Sequence, residues 1–132
     1  VGVAVHTDEG LVVTVLDDAG TLPIDTISTR IREKAERARR GALKPEDLKP
    51  ASLTVTNLGM FDVTRFVPVV NHPECSILAV GKVVETVVVA DGWMKGAPVV
   101  AFNLAVDHRA IDGGYAAQFL SRIKAILEGG EY

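Results

Sequence analysis

Cysteine is almost absent from this chain of 132 residues, which contains only Cys75. An internal disulfide is therefore excluded, and a reducing compartment is favoured. Aromatic residues make up only 5% of the sequence. None of them lies among the basic residues between positions 30 and 40, so nucleic-acid binding is not predicted. No apolar run approaches the roughly 20 residues that a membrane-spanning helix needs. The formal net charge is only -3, which is too small to indicate a highly charged partner.

What the sequence does contain is typical of a folded domain. Hydrophobic residues make up 48% of the chain and charged residues 23%, which is the balance of an ordinary globular protein. The length is enough for one domain with a substantial core. The chain begins with Val1 inside an apolar, strand-like run and has no initiator methionine. We therefore expect it to be part of a longer protein.

The hydrophobic pattern predicts strands and helices in alternation. An apolar stripe with three- and four-residue steps predicts a helix from Ile24 to Arg40, ended by Gly41. A second stripe predicts a helix from about Gly114. Short β-branched runs predict strands at 1–7, 11–16, 52–56, 76–81, 83–90 and 97–106, with residues 91–96 as a hairpin connection between the last two. These elements predict an α/β fold with a mixed sheet covered by helices.

The residues best suited to catalysis lie between the last predicted strand and the last predicted helix. Here His108 stands between two carboxylates, Asp107 and Asp112, and is followed by Arg109 and, after Asp112, by Gly113. Histidine can accept and return a proton near neutral pH, and a strand end can hold it rigidly beside a cleft. By itself, such a cluster also fits a structural network of hydrogen bonds.

Two further segments have a recognisable pattern upstream. The predicted strand ending at Thr56 runs into Asn57 and Gly59, as a strand entering a glycine turn would. His72 and Cys75 stand three residues apart, which is half of a zinc-site spacing. The other half is missing, since the remaining histidines are His6 and His108, so no metal site is predicted.

Together these patterns resemble one enzyme family. The motif Asp-His-Arg-x-x-Asp-Gly, the motif Thr-x-Thr-Asn-x-Gly ending at Gly59, and the run Pro-Glu-x-x-Ile-Leu-x-x-Gly from Pro73 to Gly81 occur in the order found in the dihydrolipoamide acyltransferase (E2) catalytic cores of 2-oxo acid dehydrogenase complexes. That family shares its fold with chloramphenicol acetyltransferase, a CoA-dependent acyltransferase. The resemblance implies that residues 1–132 are the C-terminal part of one catalytic domain. The lipoyl domain, the peripheral-subunit-binding domain and the first part of the catalytic domain are absent from these residues.

The resemblance also implies a mechanism and partners. His108 would be the general base, Thr56 the donor to the oxyanion and Asp112 a mainly structural carboxylate held by charged partners. Asp107, Arg109, Gly113, Asn57 and Gly59 would support the two motifs. Coenzyme A and a lipoyl group carried on another domain would be substrates, and no metal would take part. The site would lie between the subunits of a homotrimer, within a larger cubic or icosahedral core that binds the E1 and E3 components through other domains.

Two other functions fit the same sequence less well. One is a small-molecule O-acetyltransferase of the chloramphenicol acetyltransferase type, against which Arg109 and the Thr-Asn-x-Gly motif argue. The other is a non-catalytic core subunit that only scaffolds a dehydrogenase complex. A scaffold has no need of His108, Asp112 and Thr56 together. The family resemblance also implies that the protein is located in the cytoplasm of a bacterium or in the mitochondrial matrix of a eukaryote.

Overall fold

The computed structural model describes residues 1–130 of the chain. Within them the elements follow the order β1 (Gly2–Thr7), β2 (Gly10–Val15), α1 (Ile24–Arg39), β3 (Thr54–Asn57), β4 (Ser76–Val80), β5 (Val84–Ala90), β6 (Trp93–Val99), β7 (Phe102–Val106) and α2 (Gly113–Gly129). Short 3-10 turns occupy Ala19–Thr21, Pro45–Asp47 and Gly59–Phe61. Neither α1 nor α2 is long and apolar enough to cross a membrane.

Five of the strands form one mixed sheet in the order β2-β1-β3-β4-β7. The three central strands β1, β3 and β4 are parallel, whereas β2 is antiparallel to β1 and β7 is antiparallel to β4. Helix α1 contacts β1 and β2 at one end of this order, and α2 contacts β7 at the other. The prediction of an α/β fold with a mixed sheet is confirmed.

The core lies along β4 and where α1 meets β1 and β2. Strand β4 contributes Ile77, Leu78 and Ala79, all of them buried, as expected for a central strand. Helix α1 ends where Gly41 takes a left-handed conformation with a φ of 65°, as predicted from the sequence. By contrast, no residue of α2 is fully buried, although one side of the helix is apolar.

Helix α1 is fixed to the following turn by a buried carboxylate. Asp47 is only 2% exposed, and it pairs with Lys34 and, at 3.4 Å, with Arg37. The hydrogen bond from Lys34 is the main cause that lowers the pKa of Asp47 below its usual value. Two of the basic residues on α1 are therefore engaged in holding the fold together.

The structure corrects the predicted hairpin between the last strands. The connection is the two-residue turn Asp91–Gly92, with a positive φ at both residues, and not the segment 91–96. Trp93 therefore begins β6. The predicted strand 97–106 is also wrong, because it is divided between two sheets: β6 pairs only with β5, whereas β7 belongs to the main sheet. An unbroken apolar run gives no local signal for where one sheet ends and the next begins.

The segment between β3 and β4 is irregular apart from the turn Gly59–Phe61, and it contacts β7 and the residues that follow β4. The Lys82 amide donates to the carbonyl oxygen of Val63 at 2.8 Å, and Asn103 Nδ2 donates to the carbonyl oxygen of Phe66 at 2.6 Å. A Cβ atom at Gly81 would overlap the carbonyl oxygen of Thr64. This close approach explains why a glycine stands at Gly81.

Candidate active site

His108 lies in a tight turn between β7 and α2. The turn begins at Asp107, whose amide donates to the carbonyl oxygen of Cys75 at 2.8 Å, just before β4. The amides of Ala110 and Ile111 then donate back to the carbonyl oxygen of Asp107 at 2.9 and 3.0 Å. These three backbone bonds hold the turn, and His108 is exposed on it. A fixed backbone with an accessible imidazole is what a general base requires.

The side chains of Asp107 and Arg109 reinforce the same turn. The Asp107 carboxylate accepts from the Arg109 amide and Nε, both at 3.0 Å, and from Nη2 at 2.6 Å. The side-chain hydrogen bonds from Arg109 are the largest cause that lowers the pKa of Asp107 to about 2, followed by the bond from its amide. Asp107 is therefore ionised at neutral pH, and the pair supports the turn on which His108 lies.

Asp112 begins α2. Its carboxylate oxygen Oδ1 accepts from the Tyr115 amide at 2.9 Å, and its own backbone is extended, which is the geometry of an N-cap. Gly113 is the first helical residue, and a Cβ atom built there would contact nothing within 4 Å among the described residues. The charged partners that the resemblance implies for Asp112 stay a prediction, because the contact seen is with a backbone amide.

Thr56 is the third of the four residues of β3 and is half-buried. Directly after it, Asn57 Oδ1 accepts from the Gly59 amide at 2.8 Å, which bends the chain as it leaves the strand. A Cβ atom at Gly59 would lie 2.9 Å from the Gly81 carbonyl oxygen, too close for any other residue without a shift. Asn57 and Gly59 thus shape the turn that ends the Thr56 strand.

Within one chain, Thr56 and His108 lie at opposite ends of the strands of the sheet. Thr56 pairs with Ala79 in β4, and Ala79 pairs with Asn103 in β7. From Asn103 the chain continues to the end of β7 and reaches Asp107 after four residues, and His108 follows. Two strand spacings and four residues of extended chain put the Cα atoms of Thr56 and Asp107 about 16 Å apart. The structure therefore forms two separate groups, one from Asp107 to Gly113 and one from Thr56 to Gly59.

A family model described as 2-oxoacid dehydrogenases acyltransferase (catalytic domain) matches residues 1–131. The chain belongs to this acyltransferase family. Its sequence is 42% identical over 127 residues to the dihydrolipoyllysine-residue acetyltransferase component of the pyruvate dehydrogenase complex from Bacillus subtilis (strain 168), covering 96% of this chain and 29% of the relative. The match confirms the family resemblance of the three sequence motifs.

Solved structures show the same acyltransferase fold. The dihydrolipoamide acetyltransferase of Azotobacter vinelandii, studied for the roles of a serine, a histidine and an asparagine in its catalytic mechanism, superposes with a TM-score of 0.90 at 33% identity, over 96% of this chain and 52% of that one. The cubic core of the pyruvate dehydrogenase multienzyme complex gives 0.90 at 34% identity, over 96% and 52%. The chain therefore spans about half of these acyltransferase structures and under a third of the curated relative.

The sequence patterns did not predict the contacts of Glu74. Glu74 was noted only as part of the Pro-Glu-x-x-Ile-Leu run, yet it is buried and bonded to Thr54 in β3. The available signal was that this carboxylate stands two residues before the start of β4. Cys75 is half-buried. Among residues 1–130, no group of three or more His, Cys, Asp or Glu side chains is placed to hold a metal ion.

Proposed function

We propose that this chain is the C-terminal part of the catalytic domain of a dihydrolipoamide acyltransferase, the E2 component of a 2-oxo acid dehydrogenase complex. The reaction is acyl transfer between dihydrolipoamide and coenzyme A, both of which are substrates. The observation that carries the proposal is the spacing of the candidate site. Thr56 stands 52 residues before His108, and Asp112 stands four residues after it. In the Azotobacter enzyme, the serine and the asparagine have the same two spacings from the histidine.

The residue types support the same chemistry. His108 takes the proton from the attacking thiol and returns it to the departing thiolate, so the histidine ends each transfer unchanged. As the attacking sulfur forms its bond to the acyl carbon, Thr56 donates a hydrogen bond to the carbonyl oxygen that becomes an oxyanion. The carbon–sulfur bond to the departing thiol then breaks. The acyl group passes directly between the two thiols, and neither Thr56 nor Cys75 is a nucleophile.

Asp112 positions His108 and does not react. In the Azotobacter enzyme, the residue studied at the matching spacing is an asparagine. An asparagine oxygen can also accept the hydrogen bond that Asp112 accepts from the Tyr115 amide. What the two residue types share is the capacity to begin α2 directly after the histidine turn. Asp107 and Arg109 support the turn from its other side.

The site is shared between two copies of the chain in a homotrimer. The separation of about 16 Å between the Thr56 and Asp107 positions within one chain is too large for both groups to reach one carbonyl carbon. A neighbouring copy can bring its Thr56 against His108, and a ring of three copies then forms three equal sites. The partner copy is therefore part of the catalytic machinery.

Exposed apolar surface supports such an assembly. The β5–β6 hairpin pairs only with itself in the described chain, and Val87, Val89, Trp93 and Met94 on it are all exposed. A lone two-stranded hairpin is marginal in water, and exposed patches of this kind mark interaction surfaces. Joined trimers would form a cubic or icosahedral core in the cytoplasm of a bacterium, with E1 and E3 bound through other domains.

Substitution of His108 tests the proposal. In the full-length protein, His108→Ala should lower turnover of dihydrolipoamide and an acyl-CoA by roughly 10²–10⁴, since the base is lost. His6→Ala is the matched control, because His6 is also exposed but lies in β1 outside both motifs. Its turnover should equal that of the wild type.

Other results would contradict the proposal. Near-normal turnover in His108→Ala would exclude the mechanism. Acylation of a small hydroxyl substrate in place of dihydrolipoamide would favour the chloramphenicol acetyltransferase type. A wild-type core that assembles but transfers no acyl group would be a scaffold.

A further inference from the structure

Glu74 is a buried carboxylate that the proposed mechanism does not use. It lies in the loop that leads into β4 and is only 5% exposed. Its Oε1 accepts from the Ala51 amide at 3.1 Å, and its Oε2 accepts from the Thr54 hydroxyl at 2.6 Å. Burying a carboxylate is costly unless hydrogen bonds compensate for the lost water. Both contacts go to the segment that forms β3, so the carboxylate is directed at that strand.

The bond from Thr54 links Glu74 to the oxyanion donor. Thr54 is completely buried and stands two residues before Thr56 in β3. Because side chains alternate along a strand, both threonines point to the same face of the sheet. Strand β3 has only four residues, and Thr56 lies one two-residue strand repeat after Thr54. A shift of Thr54 is therefore transmitted directly to Thr56.

The loop that carries Glu74 is itself anchored. The Glu74 amide donates to the carbonyl oxygen of Asn71 at 2.8 Å, and the next carbonyl, that of Cys75, accepts from the Asp107 amide at 2.8 Å. Asp107 begins the His108 turn. The carboxylate therefore ties β3 to a loop that is fixed against the other catalytic group.

We propose that Glu74 is a positioning residue, which fixes the position of the Thr56 hydroxyl through the hydrogen bond with Thr54. The inference rests on the proposed function, because it assigns Glu74 a part in placing the oxyanion donor. A carboxylate suits this position since both of its oxygens accept a hydrogen bond. A glutamine offers one accepting oxygen and must present its amino group to one of the two donors.

The test is a double-mutant cycle in the full-length protein. Glu74→Gln should lower kcat about 10- to 100-fold, as a small misplacement of a catalytic group does, with both KM values unchanged. Thr54→Val removes the same hydrogen bond and should give the same loss. Because both act through Thr56, Glu74→Gln should cause no further loss in a Thr56→Val background. Losses that multiply in that background would overturn the proposal.

A matched control separates positioning from general destabilisation. Asp47 is another buried carboxylate, and it bonds to α1 and not to β3. Asp47→Asn should lower the thermal midpoint while leaving kcat at the wild-type value. An equal loss of kcat in Asp47→Asn and Glu74→Gln would show that Glu74 only stabilises the fold.

Amide hydrogen exchange gives a readout that needs no activity. In Glu74→Gln, the amides of residues 54–57 should exchange faster than in the wild type, whereas in Asp47→Asn they should not. Unchanged exchange at these amides would overturn the positioning role even if the protein transferred no acyl group. Full turnover in Thr56→Val would instead contradict the proposed mechanism and leave exchange to decide the inference about Glu74.

Discussion

Thr56 is the residue whose role is hardest to separate from a structural one, because a hydroxyl at the end of a strand can also satisfy a backbone group. The two roles predict different effects of substitution on kcat and on stability. Thr56→Val, which keeps the shape, should lower kcat by roughly 10²–10³ with little change in KM if an oxyanion donor is lost. Thr56→Ser should restore most of the turnover. Loss of a backbone partner would instead cost about 1 kcal/mol of stability and leave kcat nearly unchanged. Steady-state kinetics and thermal denaturation of both variants distinguish the two roles.

Asp107 gives the turn a dependence on pH. Its pKa falls from 3.8 to about 2 on folding, chiefly through the side chain of Arg109, so the folded state holds the carboxylate more strongly than the unfolded chain does. The stabilisation is therefore complete above about pH 4 and is lost as the pH falls toward 2. In urea denaturation, the wild type should exceed Asp107→Asn in stability at pH 6, and the difference should shrink between pH 4 and pH 2.

Arg109→Gln supplies the control for this dependence. Without the guanidinium, the Asp107→Asn substitution should change how stability varies between pH 4 and pH 2 by less than in the wild type, because only the hydrogen bond from the backbone amide of residue 109 remains. A pH-dependent difference of the same size in that background would assign the lowered pKa of Asp107 to some other group. The Arg109 side chain is exposed, so the contact acts on the turn and contributes little to the whole fold.

At the scale of elements, α2 depends on the residue that begins it. Asp112→Ala removes the acceptor for the Tyr115 amide and should cost about 1 kcal/mol of stability. Asp112→Asn keeps that acceptor and should leave both stability and turnover near the wild type. Thermal denaturation and steady-state kinetics check the pair. If Asp112→Asn lowers turnover as much as Asp112→Ala, the charge itself is needed, and a charged partner for Asp112 must exist.

The elements that sequence could predict are those with a local signal. The stripe of α1 and the glycine after it marked that helix, and the buried run of β4 marked its strand. The division of 97–106 between β6 and β7 could not be predicted, because the residues around it, from Val99 to Phe102, are all apolar and include no turn residue. The partner of each strand depends on contacts far along the chain, which periodicity does not report.

The site shows the same contrast at this scale. The turn from Asp107 to Gly113 is local, so its motif indicated a compact cluster, and the structure has one. The contact between Glu74 and Thr54 spans 20 residues and carries no spacing rule that a sequence pattern would reveal. Residues that act through such contacts appear only when the fold is known.

At the scale of the molecule, the arrangement of the sheet determines how the site can be assembled. Strand β7 is antiparallel to β4, so it carries the chain away from the strand ends where Thr56 lies and delivers His108 to the opposite end of the sheet. Two motifs 52 residues apart could equally have met in one chain. The sequence implied a shared site only through family resemblance, whereas the register of β3, β4 and β7 gives a physical reason to propose one, because it keeps Thr56 and His108 apart within one chain.

The most direct test of the shared site is complementation between two inactive chains. Full-length Thr56→Val and His108→Ala chains are mixed under conditions in which mass spectrometry shows that subunits exchange. In a ring of three with random mixing of equal amounts, about a quarter of the sites combine an intact His108 with an intact Thr56 of the neighbour. Turnover should therefore rise to about a quarter of the wild-type value. If proven exchange leaves turnover at the level of the separate variants, each site is built from one chain and the account is wrong.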